Sequence, residues 1–308
     1  MILNFPLNCV IWCMCFRSSL QYSFIGSVKV LHNIPHDEES FTQGLFLHNG
    51  NIYESSGLYR KSSIRIINPI TGKIVKSVRV SDDLFAEGIT IFNDIIYMLT
   101  WKETVLLMYN ATTLEVIGRR QYPGQGWGVT HDNTSLLVSD GSHLITVYEL
   151  PVLGGKGQLK QTRQISVRDA STNQLIRNLN ELEYVNNHIF ANVWYADVIL
   201  KIDPRTGYVV RKYDCRSLYP HSRRTRRADS FNGIAYNASD DSFLVTGKLW
   251  PKYYRLRLDE DMAGEEEFVP GIFPERTGLT GRTHGRDRSS KGMKSHHRNA
   301  NSRGSLRN

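Results

Sequence analysis

Phe41-Thr-Gln-Gly-Leu is the first of five related phrases that decide how this chain folds. It returns as Phe85-Ala-Glu-Gly-Ile, Gln125-Gly-Trp-Gly-Val, Leu179-Asn-Glu-Leu-Glu and Phe231-Asn-Gly-Ile-Ala. Aligned on the residue before the glycine or its equivalent, the copies stand at Gln43, Glu87, Trp127, Asn180 and Asn232, with spacings of 44, 40, 53 and 52 residues. Repeats of this length point to propeller blades or other arrays, in which each unit stacks on its neighbours to bury its apolar faces.

Each phrase is followed by further apolar runs, most clearly Asn51-Ile-Tyr-Glu-Ser-Ser-Gly, Ser63-Ile-Arg-Ile-Ile-Asn and Lys73-Ile-Val-Lys-Ser-Val-Arg-Val. These read as consecutive short strands. The segments between them, Asn68-Pro-Ile-Thr-Gly, Asn110-Ala-Thr-Thr and Asp203-Pro-Arg-Thr-Gly, are built from turn-forming residues, so each repeat counts four strands. The last repeat ends one strand short after Tyr253-Tyr-Arg-Leu-Arg-Leu, while an orphan strand, Val28-Lys-Val-Leu, precedes the first. The expected fold is therefore all-β, a five-bladed β-propeller over residues 27–258 whose last blade is closed by an N-terminal strand. Such closure protects the unpaired backbone of strand edges.

Composition fits one such domain: 308 residues with 40% hydrophobic content can bury a large core. The net charge of +8 does not signal nucleic-acid binding, because residues 275–308 carry nine Lys or Arg against two Asp or Glu. That basic tail, within residues 259–308, has almost no apolar residue to offset its ordering entropy and is expected to be disordered. Arg223-Arg-Thr-Arg-Arg reads as the tip of a loop, with a processing-protease site as the other reading.

Residues 1–26 form a signal-like or anchor leader: Met1 to Phe16 is mostly apolar, but it is interrupted by Asn4, Pro6 and Asn8 and lacks a basic start. Cleavage, retention as a short anchor and a misassigned start codon all stay open. The sequons Asn110-Ala-Thr, Asn133-Thr-Ser and Asn237-Ala-Ser favour the secretory pathway and a glycoprotein. Cys9, Cys13 and Cys15 lie in the leader and only Cys215 in the body, so the body has no internal disulfide framework and no paired-cysteine zinc site.

In a propeller the first strand of each blade lines the central channel, so Gln43, Glu87, Trp127, Asn180 and Asn232 should form a ring at one mouth. The second strands add Trp101, Asp140, Trp194 and Lys248. Three tryptophans with one carboxylate and one lysine make a cup suited to a small polar ligand. A glutamate enclosed by aromatic rings has its charged form disfavoured, which moves its pKa toward the range useful for proton transfer.

Longer motifs carry a resemblance: His36-Asp, Phe41-Thr-Gln-Gly-Leu, Tyr53-Glu-Ser-Ser-Gly-Leu-Tyr, Glu87-Gly-Ile-Thr, Leu99-Thr-Trp, Gly126-Trp-Gly-Val-Thr, Ser139-Asp-Gly-Ser, Leu179-Asn-Glu-Leu-Glu-Tyr, Ala191-Asn-Val-Trp and Thr246-Gly-Lys-Leu-Trp-Pro-Lys. From about His36 to Arg255 the chain resembles the plant and bacterial type of glutaminyl-peptide cyclotransferase, or glutaminyl cyclase. The resemblance implies conversion of the N-terminal glutamine of peptides and proteins to pyroglutamate with loss of ammonia, without the zinc of the animal-type enzyme. It also implies that Glu87 is the catalytic proton shuttle. Trp101, Trp127 and Trp194 would enclose the substrate side chain, Phe41 and Phe85 would wall the pocket, and Gln43, Asn180 and Lys248 would offer hydrogen bonds or charge. No cofactor is required on this reading, although a structural calcium in the channel stays open. A monomer that meets a membrane only through its leader is expected.

Two residues depart from the family pattern: Ala86 stands where glycine is common, and Gln125 stands where glutamate is usual. Two other functions fit the same mouth. One is a non-catalytic propeller that binds peptides or proteins, since a fold does not fix an activity. The other is a hydrolase in which Glu87, Asn180, Asn232 and Asp140 hold a calcium-like cation.

Overall fold

The computed structural model describes residues 23–259; most of the leader and the basic tail lie outside the described residues. Within them the chain is all-β, with one short 3-10 turn at His221–Arg223. Strand β1 (Phe24–Pro35) precedes a first antiparallel sheet of β2 (Thr42–His48), β3 (Asn51–Ser56), β4 (Ser63–Ile67) and β5 (Ile74–Arg79). A second comprises β6 (Ala86–Phe92), β7 (Ile95–Thr100), β8 (Val105–Asn110) and β9 (Val116–Gln121). The third comprises β10 (Val129–His131), β11 (Ser135–Ser139), β12 (Leu144–Glu149) and β13 (Gln161–Ser166).

The remaining strands are β14 (Arg168–Asp169), β15 (Leu179–Val185), β16 (His188–Val193), β17 (Ala196–Ile202), β18 (Tyr208–Asp214), β19 (Phe231–Asn237), β20 (Ser242–Gly247) and β21 (Lys252–Asp259). β15 to β18 form one antiparallel run and β19 to β21 another. β1 completes the latter by pairing antiparallel with β21 from Ser27 to Pro35. Its first residues, Phe24 to Gly26, run parallel to Arg211–Tyr213 of β18 and join the two runs into a nine-stranded sheet. The closing strand thus begins four residues before the expected Val28, within the span read as leader.

The turns follow their chemistry. Asn68 accepts the amides of Ile70 and Thr71 through Oδ1, and Asn110 does the same for Thr112 and Thr113. Gly72 and Gly207 end two such turns at φ of +68° and +77°, a region glycine enters without a Cβ penalty.

Apolar packing falls between successive sheets. Ile64 and Ile66 meet Ile89, Ile96 and Met98, and Tyr97 and Leu99 meet Val129 and Leu136. Ile145 and Val147 meet Leu182 and Ile189, and Phe190 and Tyr213 meet Phe231 and Trp250. Ala235 and Leu244 then meet Leu45 and Ile52, returning to the first sheet. First strands follow the same order: β2 packs on β6, β6 on β10, β10 on β15, β15 on β19, and β19 on β2.

These first strands approach so closely that a side chain would not fit at three repeat glycines. A Cβ on Gly44 would lie 2.3 Å from the Ile89 amide nitrogen, one on Gly88 2.7 Å from the Trp127 carbonyl, and one on Gly128 2.1 Å from the Asn180 carbonyl. The glycine of the repeated phrase is therefore a packing requirement. Its partner residue is re-aimed by a bulge, since the registers of β2, β6, β15 and β19 all slip where Gln43, Glu87, Asn180 and Asn232 stand.

Candidate active site

The ring residues are tied together through neighbouring backbone. Ser55 donates to the Glu87 carbonyl at 2.6 Å, and the Gly88 amide donates to the Trp127 carbonyl at 2.7 Å. Ser139 donates to the Asn180 carbonyl at 2.6 Å while accepting the Gly128 amide at 2.8 Å. The Asn192 side chain accepts the Gly233 amide, and Asn232 Nδ2 donates to the carbonyls of Thr42 and Gln43. Gln43, Glu87, Asn180, Asn232 and Lys248 are all buried, and Trp127 is half-buried.

Burial pushes the Glu87 carboxyl well above the usual carboxylate range; the Lys248 charge pulls it back, and Glu103 adds to the rise. The same burial lowers Lys248, opposed by the charges of Glu87 and Asp229. Both groups are thus displaced toward their neutral forms, each restrained by the other.

The aromatic rings singled out in the sequence fall into two groups. Lys248 Nζ lies 4.8 Å from the centroid of Phe41, whose ring meets Phe85 edge-on at 6.4 Å, and Phe85 meets Trp101 at 5.5 Å. Trp101 Nε1 donates to Gln125 Oε1 at 2.9 Å. In the second group Trp127 and Trp194 meet edge-to-face at 5.3 Å, and Trp194 stacks on Tyr195 at 4.3 Å. The sequence-predicted wall residues therefore assemble as Phe41, Phe85, Trp101 and Lys248 in one cluster and Trp127 with Trp194 in another.

Residues 9–258 match the glutamine cyclotransferase family. The chain belongs to that family. It is 32% identical over 265 residues, 84% of its length, to a glutaminyl-peptide cyclotransferase of Arabidopsis thaliana, of which it covers 80%. A solved glutaminyl cyclase of Myxococcus xanthus superposes with a TM-score of 0.69 at 29% identity, covering 77% of this chain and 98% of that one.

As a glutamine cyclotransferase, the chain holds polar atoms that its own structure leaves without partners. Gln43 Oε1, Asn180 Oδ1, Asn232 Oδ1 and Trp127 Nε1 are buried and unbonded. Leaving a buried polar group unpaired costs roughly 1–3 kcal/mol, so four on one ring are a concentrated unmet demand for partners. The set is three acceptors and one donor. An N-terminal glutamine presents the complement, N–H groups on its amine and carboxamide and a single carboxamide oxygen.

Of the oxygen ligands considered for a cation, Asp140 uses Oδ1 to accept the Ser142 amide, and Asn232 spends its amide group on Thr42 and Gln43. Among the described residues no three His, Cys, Asp or Glu side chains gather as a metal site.

Three groups escaped the sequence reading. Tyr59 donates to Glu103 at 2.7 Å and packs on Phe85 at 5.3 Å, which brings a second carboxylate beside the Glu87 wall. Glu181, in the place of a repeat glycine, accepts the Ile234 amide at 2.8 Å and the Leu45 amide at 3.3 Å, linking two other first strands. Glu183 accepts the Tyr236 amide at 3.0 Å. The only sequence signal for these two was a glutamate where glycine recurs, followed at alternate spacing by another.

Proposed function

We propose that this chain closes the N-terminal glutamine of peptides and proteins to pyroglutamate with release of ammonia, using Glu87 as its one proton carrier. Family membership supports the activity. The assignment of the chemistry to Glu87 is carried by one observation: it is the acidic member of the ring, buried, with its protonated form favoured, beside buried Lys248.

The reaction is intramolecular, so holding the substrate folded supplies much of the acceleration. The substrate's α-amine nitrogen forms a bond to its own carboxamide carbon while Glu87, as carboxylate, takes the amine proton. The carboxamide oxygen gains negative charge, which Lys248 and the Trp127 indole N–H are suited to stabilise. The carbon–nitrogen bond of the former carboxamide then breaks as Glu87 returns the proton to the departing nitrogen. Ammonia leaves and the carboxylate is restored, so no covalent enzyme intermediate is required. Gln43, Asn180 and Asn232 receive substrate N–H groups, while Phe41, Phe85, Trp101, Trp127 and Trp194 exclude water.

We read the sheets as five blades around a channel that opens on this site, a reading supported by five apolar clusters between successive sheets and by the cyclic order of the first strands. The sequons and apolar leader support secretory entry, and Asn133 is exposed. A sugar-dependent mass increment lost in Asn133→Gln from secreting cells checks that placement; its absence from the wild-type protein counts against modification there.

The deciding experiment follows ammonia and pyroglutamate from a Gln-initiated dipeptide. Glu87→Gln should lower kcat by about 10²- to 10⁴-fold, the usual worth of a positioned acid–base group. A Glu87→Gln protein as active as wild type would remove Glu87 from the chemistry. A folded wild-type chain that binds the dipeptide without releasing ammonia would be a binding module.

A further inference from the structure

We infer that His36 and Glu54 act as a positioning pair that sets Gln43 and Lys248 at the ring, an inference that rests on the reading of the site given above. Both side chains are fully enclosed, with His36 Nε2 2.9 Å from Glu54 Oε1. Glu54 Oε1 also receives the hydroxyls of Ser40, at 2.8 Å, and Thr42, while Oε2 receives Tyr253 at 3.0 Å. On the other side of the imidazole, Nδ1 donates to the Trp250 carbonyl at 2.6 Å and lies 3.3 Å from the Thr246 hydroxyl. Both ring nitrogens thus face acceptors.

The address of these contacts gives them a role. Thr42 immediately precedes Gln43 in β2, and Thr246 and Trp250 stand two residues either side of Lys248. The pair therefore holds the side chain next to Gln43 and, on the two flanks of Lys248, the Thr246 hydroxyl and the Trp250 backbone carbonyl. Two backbone bonds follow the same path, from the His36 amide to the Pro251 carbonyl at 2.9 Å and from the Leu249 amide to the Ser40 carbonyl at 2.8 Å.

The gripped segment needs holding. Leu249 follows Lys248 at φ +60°, a left-handed conformation that a leucine keeps only where its surroundings fix it. Gln43 Oε1 has no partner of its own, so its placement depends on the backbone that carries it. Burial alone would raise the Glu54 carboxyl, yet the His36 charge, with hydrogen bonds from His36 and Thr42, holds it down to about 2. A buried ion pair is weak evidence of stabilisation, so the role of this one is read from the groups it orients.

Glu54→Gln and Thr42→Val test the pair, each studied well below its own melting temperature. Lys248 pulls the Glu87 pKa down, so a displaced Lys248 moves the acid limb of the kcat/KM profile to higher pH. kcat/KM itself should fall by about 10- to 100-fold, the scale of an ångström-sized misplacement. A role confined to stability would lower the melting temperature and leave both quantities unchanged, which would overturn the inference. Should Glu54→Gln fail to fold, Thr42→Val, which removes one donor from Glu54 and leaves the ion pair, is read by the same criteria. Dipeptide binding in the Glu87→Gln background separates this inference from the reading beneath it. If Thr42→Val still weakens binding there, the positioning role stands even where Glu87 proves dispensable; unchanged binding sinks it.

Discussion

The indole N–H of Trp101, just past β7 of the second sheet, is held by the side-chain oxygen of Gln125, on the loop leading to the third. Trp101, proposed as a pocket wall, and Gln125, where the family pattern has glutamate, thereby share one contact. Glutamine supplies the acceptor that glutamate would, without the charge.

Gln125→Glu should retain the bond to Trp101 and move the acid limb of kcat/KM to higher pH. The sign follows from electrostatics: a second negative charge disfavours ionisation of Glu87, so its pKa rises. Gln125 is exposed, so the displacement should shrink as salt is added. Gln125→Ala should instead raise KM at unchanged limb position, because the indole loses its anchor. A profile for Gln125→Glu that is independent of salt and identical to wild type would separate this loop from the Glu87 field.

Glu103 is already such a charge. It accepts Tyr59 and contributes to the raised pKa of Glu87, after burial. In Glu103→Gln the acid limb should therefore move to lower pH, opposite to Gln125→Glu. Tyr59→Phe retains the carboxylate and serves as the control for lost contact. Movement in the same direction for Glu103→Gln and Gln125→Glu would disprove a common electrostatic cause.

The ring was legible in the sequence because packing and chemistry share one phrase. Gly44, Gly88 and Gly128 are demanded by close strand approach, and at the first two the preceding residue, Gln43 or Glu87, is the one the register slip turns. The slips themselves were not legible, since a bulge is a difference between two strands and leaves no mark on one. Glu103 and Tyr59 meet from loops of different sheets, 44 residues apart, so no local pattern joins them. Glu54 lay within a segment read only as a strand, and its four donors come from β2, β21 and the segment between β1 and β2. The start of β1 was misplaced because Phe24 to Gly26 pair with β18, a partner almost two hundred residues away.

Glu183 gives the fold a pH dependence of its own. Burial raises its carboxyl to about 8, against an ordinary value of 4.5, while hydrogen bonds from Tyr236, Thr130 and Tyr184 act the other way. A carboxyl raised on folding contributes stability that is complete below its unfolded pKa and is lost as pH climbs through the folded one. Melting temperature should therefore decline between about pH 4.5 and pH 8 through this group. Glu183→Gln, which cannot ionise, should flatten that decline. Equal slopes in the two proteins, followed by differential scanning calorimetry, would mean that Glu183 carries no such linkage.

Lys248 and Glu87 offer the sharpest test, because their couplings run in opposite directions. Burial drives each toward neutrality, and each charge opposes that drive in the other. Lys248→Met leaves the alkyl chain near Phe41 and removes the charge, so Glu87 must stay protonated to higher pH. The acid limb of kcat/KM should move upward, and kcat at the new plateau should also fall if the ammonium stabilises the developing oxyanion. The two contributions separate in Glu87→Gln/Lys248→Met. Where Lys248 acts only through the Glu87 pKa, the double variant should equal Glu87→Gln alone; a further drop in residual turnover assigns Lys248 a contact with the substrate oxygen. Residues acting as a unit are non-additive, so the size of that further drop measures how far the pair works as one device.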